Sequence, residues 1–209
     1  MIFIPGMLSS AEDYVQEMTS LKPRRCISLS LRGRGKSDAP QSGYSFENHI
    51  SDIEALVAKL HLKGFCLMGY SVGVAYAVGY AIRHHATLKG LIVGDYPALY
   101  PAFGPAWTER VLKDHPGVAQ PHAVRAMQKE SSRIQLWDGL KNLACPVLVL
   151  RGGKEDSLLP ADASETYKQN LRDVRIVVLE ESGHDLTKPD YKGYIGTIKA
   201  FLESTDSRR

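Results

Sequence analysis

Short apolar runs bounded by glycine, proline or charge recur along the chain, and stretches of helical period separate them. Six runs read as buried strands: residues 1–4, 26–31, 65–68, 88–94, 147–151 and 174–179. Between them, residues 45–60 place Ile50, Ile53, Leu56, Val57 and Leu60 on one helical face. Residues 72–84 are almost wholly apolar or small, which predicts a buried helix, and 10–20, 161–171 and 187–202 read as further helices. Strands alternating with helices predict an α/β protein: a mostly parallel sheet of about six strands, covered on both faces. Residues 97–142 break the alternation with prolines, helical stretches and the aromatics Tyr100, Phe103, Trp107 and Trp137. They read as a small helical cap inserted into a core made of 1–96 and 143–209.

Composition narrows the classes without choosing among them. The chain has 209 residues, 44% of them hydrophobic and 23% charged, enough for a core without disulfide or metal staples. No apolar run approaches the roughly 20 residues of a membrane span. A net charge of +3 marks no nucleic-acid face. Cys26, Cys66 and Cys145 have no metal-type spacing and read as reduced thiols, and no leader pattern is visible, so a cytoplasmic location is expected. No metal-ligand cluster and no dinucleotide fingerprint are found, so no cofactor is expected.

The candidate chemistry begins at Gly69-Tyr70-Ser71-Val72-Gly73, a G-x-S-x-G between a predicted strand and a predicted helix. That context demands a sharp turn presenting the Ser71 hydroxyl, and side chains at Gly69 and Gly73 would obstruct it. A serine hydroxyl needs a base, and the base needs an orienting acid. Of seven histidines, His49, His61, His84, His85, His115 and His122 read as solvated surface groups. His184 follows the last strand, at the sheet's carboxyl end where catalytic groups gather, and is the expected base. For the acid, Asp156 in the loop after residues 147–151 is preferred, with Glu155 and Asp95 as fallbacks.

In these motifs the chain resembles the α/β-hydrolase family, with serine-nucleophile esterases and lactonases as the nearest kind. Met1-Ile-Phe-Ile-Pro-Gly6-Met7 looks like the strand and turn that usually end in His-Gly. Arg32-Gly-Arg-Gly-Lys-Ser37 resembles the R-G-x-G-x-S loop, although Ser30 stands where an Asp often pairs with that arginine. Gly153-x-x-Asp156-x-x-x-Pro160 and Gly183-His184 are similar to the acid and histidine loops. The resemblance implies a triad of Ser71, Asp156 and His184, and an oxyanion hole from the backbone amides of Met7 and Val72. It also implies a pocket built with Tyr70, Tyr96, Phe103, Trp107 and Trp137.

The implied activity is hydrolysis of a carboxylic ester, lactone or thioester with an apolar acyl part. A cofactor-free C–C hydrolase or lyase, or a non-catalytic binding protein on the same fold, are the rivals. Relatives begin with two further strands that this sequence lacks. That predicts residues 26–31 as an open sheet edge, and with it either a homodimer through the edge or a chain start truncated relative to the natural one.

Overall fold

A computed structural model describes residues 1–207. Six strands form one parallel sheet: β1 (Ile2–Ile4), β2 (Ile27–Ser28), β3 (Phe65–Tyr70), β4 (Leu88–Gly94), β7 (Val147–Gly152) and β8 (Val174–Leu179). Their order is β2-β1-β3-β4-β7-β8. Side chains alternate across this sheet as a period of two requires. Ile2, Ile4, Leu67, Leu91, Val93, Val147 and Val149 share one core with α2 (Phe46–Lys59) and α3 (Gly73–Arg83). Phe3, Cys66, Met68, Ile92, Leu148 and Leu150 share the other with Tyr14 and with α7 (Tyr191–Asp206). The short α1 (Val15–Ser20) precedes β2, and α6 (Ala161–Asn170) adds Tyr167 to the α2–α3 side. No helix among the described residues is long and apolar enough to cross a membrane.

The edge strand is shorter than the apolar run predicts. Only Ile27 and Ser28 pair, because β2 has one neighbour and that neighbour is itself three residues long. Beyond them Ser30 turns to other work. Its hydroxyl accepts from the Ala11 amide at 3.0 Å and its carbonyl accepts from Ser37 Oγ at 2.6 Å.

The excursion over 97–142 holds α4 (Pro105–Asp114) and α5 (Pro121–Glu130), with β5 (Leu99–Tyr100) and β6 (Ile134–Gln135) paired antiparallel at its base. Proline opens both helices, where its missing N–H costs nothing. The excursion is fastened to the loop after β2: the Glu130 carboxylate accepts from the amides of Gly43 and Tyr44 at 2.7–3.0 Å.

That loop departs from expectation twice. With no Asp at position 30, Arg32 finds its carboxylate on α2 instead, in a two-point pair with Asp52 at 2.5 and 2.6 Å. Arg34 is fully buried and meets no carboxylate among the described residues. It donates to the carbonyls of Met7 at 3.3 Å and Arg32 at 2.7 Å, and to the thioethers of Met7 and Met127. It also reaches His49 Nε2 at 3.3 Å. His49 is therefore not a surface group. It has no solvent exposure and stacks on Tyr76 at 4.5 Å. Arginine can only donate, so Nε2 accepts and Nδ1–H donates to the Ser45 carbonyl at 2.8 Å.

Candidate active site

β3 delivers Ser71 into a turn that only small neighbours permit. A Cβ on Gly69 would strike the backbone of Gly73 and Val74, and one on Gly73 would strike the carbonyls of Ile4 and Pro5. Ser71 itself sits at φ +54°, a left-handed conformation rare for serine and costing about 1–3 kcal/mol. The turn is held by its amide donating to the Gly94 carbonyl at 2.9 Å. Ser71 thus stands at the carboxyl end of the sheet, at the N-terminus of α3.

His184 enters the same cavity from the loop after β8. Its Nδ1 lies 2.8 Å from Oδ2 of Asp95, at the end of β4. Asp95 has no solvent exposure and is fully engaged. Oδ1 accepts from the Gly152 amide at 3.0 Å and Ser157 Oγ at 2.6 Å, and Oδ2 also takes the Leu158 amide at 2.9 Å. Burial alone would raise the Asp95 carboxyl, but these hydrogen bonds, led by His184 and Ser157, outweigh it and hold the group below its ordinary range. A carboxylate so held only accepts, so Nδ1 of His184 is the donor in this pair and Nε2 is the ring nitrogen left for another partner.

Asp95, expected only as a fallback, meets the His184 ring, and the preferred Asp156 does not. Asp156 is exposed and does not touch the imidazole; its carboxylate accepts weakly from the His184 backbone amide at 3.4 Å. Glu155 is exposed as well. The loop after β7 curls so that Gly152, Ser157 and Leu158 close around Asp95, which turns Asp156 outward. Asp95 pays for its position with a left-handed φ of +50°, a conformation that short polar residues tolerate best.

The cavity has a volume of about 480 Å³. Met7, Val72, Tyr70, Tyr96, Phe103 and Trp107 line it with Ser71 and His184. The amides of Met7 and Val72 donate to no protein group among the described residues. Phe103 and Trp107 pack with tilted rings 4.2 Å apart to form the roof. Tyr70 stacks on His184 at 5.0 Å and donates its hydroxyl to the His184 carbonyl at 2.7 Å, fixing the ring from behind. Trp137 is not in the cavity. It lies on the stretch returning to β7 and packs edge-on against Tyr167, 4.8 Å away. Leu8, Leu158 and Arg110 also line the cavity and carried no motif by which sequence could single them out.

The alpha/beta hydrolase family model matches residues 1–191. The chain is 26% identical to the AB hydrolase superfamily protein YisY of Bacillus subtilis, over 88% of this chain and 84% of that one. It is 22% identical to the N-formylmaleamate deformylase of Pseudomonas putida, over 84% and 77%. Among solved structures, the esterase RhEst1 from Rhodococcus superposes with a TM-score of 0.83 at 18% identity, covering 98% of this chain and 90% of that one. The MenH structure from S. aureus gives 0.82 at 16%, covering 99% and 94%.

Proposed function

The chain belongs to the alpha/beta hydrolase family, and from that premise we propose that it is a serine hydrolase acting through an acyl-enzyme on Ser71. The carrying observation is the Asp95–His184 pair at 2.8 Å, facing one cavity with a serine held at φ +54°. His184 Nε2 takes the Ser71 proton as Oγ attacks the substrate carbonyl. It returns that proton to the leaving heteroatom as the bond from the carbonyl carbon breaks, and the acyl-enzyme forms. Water then attacks the acyl carbon by the same route, and Ser71 is restored. Asp95 orients the ring and offsets the imidazolium charge. The amides of Met7 and Val72 receive the oxyanion, each worth roughly 3–4 kcal/mol of barrier.

The lining favours a carboxylic ester, lactone or thioester whose acyl part is apolar and small enough for the cavity. The Pseudomonas relative is a deformylase of an N-formyl compound, so an N-acyl bond belongs in the same substrate panel. The open edge at β2 remains the surface through which a second copy would pair.

The test is direct. Wild type turns over p-nitrophenyl acyl esters and is labelled by a fluorophosphonate. Ser71→Ala abolishes both, and an alanine variant with wild-type turnover would overturn the assignment.

A further inference from the structure

Behind the Tyr70 wall lies a second cavity of about 330 Å³. Its lining is chemically one-sided. It contains the acidic residues Asp13, Glu17 and Asp185 and the tyrosines Tyr14, Tyr70 and Tyr194 and, among the described residues, no lysine or arginine. Ser9 and Tyr70 face both this pocket and the catalytic cavity.

The acidic side chains are not equivalent. Asp13 caps the segment before α1, accepting from the Ser10 amide at 2.7 Å. Asp185 accepts from Thr187 and pairs with the exposed Lys188 at 3.0 Å. Glu17 has no such use. It is 5% exposed, lines the pocket, and takes no hydrogen bond or ion pair from another residue among those described. Tyr14 and Tyr194, both buried residues, line the pocket beside it. A buried carboxylate without a partner is costly, and the cost falls when a cation enters. Burial first, then the charges of Asp13 and Asp185, push the Glu17 carboxyl up from its ordinary range.

The kind of cation follows from the lining. No group of His, Cys, Asp or Glu among the described residues is arranged to hold a metal ion. Three tyrosine rings around a carboxylate instead suit an organic ammonium, which is drawn to aromatic faces as well as to the anion. We propose that this side pocket binds the ammonium group of a small alkylamine, with Glu17 as its counter-ion and Tyr14, Tyr70 and Tyr194 as its walls. The site stands apart from the hydrolase reading, since it needs neither Ser71 nor turnover. An occupant would rest against the ring that stacks on His184.

Calorimetric titration of the full chain with n-butylammonium chloride tests this, at mildly alkaline pH and constant ionic strength, with n-butanol as the neutral match. Saturable butylammonium binding is expected in wild type and Ser71→Ala alike, with butanol weaker by roughly tenfold or more. Glu17→Gln keeps the size and removes the buried charge. It should weaken butylammonium roughly tenfold or more and leave butanol unchanged. Thermal melts check that the variant is folded; if it is not, the butylammonium-to-butanol comparison on wild type decides. Equal binding of the two probes, or butylammonium binding undiminished in folded Glu17→Gln, would overturn the proposal.

Discussion

Nδ1 of His184 lies 2.8 Å from Oδ2 of Asp95, across 89 residues of chain, and the carboxylate is closed to solvent. Asp95→Asn should therefore lower kcat by about 10³–10⁴, because the amide stabilises the wrong imidazole tautomer. Asp156→Asn, at an exposed side chain that only approaches a backbone amide, should stay within about threefold. Steady-state kinetics on one p-nitrophenyl ester checks both. The reverse order would return the acid's role to Asp156.

A second consequence concerns acid stability. His49 is held near pKa 3, from an ordinary 6.5, first by burial and then by the Arg34 charge. The unfolded chain takes up a proton below 6.5 that the folded protein refuses until about 3. This contribution is thus complete above 6.5 and is lost as pH falls, by about 1.4 kcal/mol per pH unit. Asp95, held low in the native state, adds its own loss as pH falls below its ordinary 3.8, outside the window of the test. Denaturant melts of wild type between about pH 4.5 and 6 should show the slope, and His49→Gln should flatten it.

Arg34 ties together the Met7 turn that lines the Ser71 cavity, α2 through His49, and α5 through Met127. Arg34→Met removes a buried charge, which by itself costs little or even stabilises. It also strips a donor from the Met7 and Arg32 carbonyls, each worth about 1–3 kcal/mol when left unpaired. The second effect should win. We expect a lower melting temperature and a fall in kcat exceeding the change in KM, since the Met7 amide would no longer be held. Arg34→Lys should recover little, because an ammonium cannot span the partners of a planar fork.

The parallel sheet, its six strands and the serine turn were legible because each rests on local pattern: apolar runs, helical period, and glycines at 69 and 73 where the chain touches itself. Which carboxylate meets the His184 ring was not legible in that way. Asp95 and Asp156 both follow strands, and only the three-dimensional curl of Gly152, Ser157 and Leu158 around one of them decides between them. His49 misled for a related reason. It precedes an apolar residue on an amphipathic helix, and nothing local says that a buried arginine waits for its ring. The left-handed backbone at Asp95 left no trace in the sequence beyond a short polar residue before Tyr-Pro.

The two tryptophans of the 97–142 excursion separate activity from stability. Trp107 packs with tilted rings against Phe103 over the cavity, so Trp107→Ala opens the roof while removing little of the core. It should raise KM and flatten the dependence of kcat/KM on acyl length, with a small change in melting temperature. Trp137 packs against Tyr167 on the α2–α3 side of the sheet and is absent from the cavity. Trp137→Ala should cost about 2–4 kcal/mol, below the roughly 3–5 of a fully buried aromatic because the ring is only partly buried, and leave the acyl-length profile unchanged. Ester panels graded by chain length, run beside thermal melts, distinguish the two. An altered acyl preference in Trp137→Ala would mean that the pocket extends beneath the returning strand.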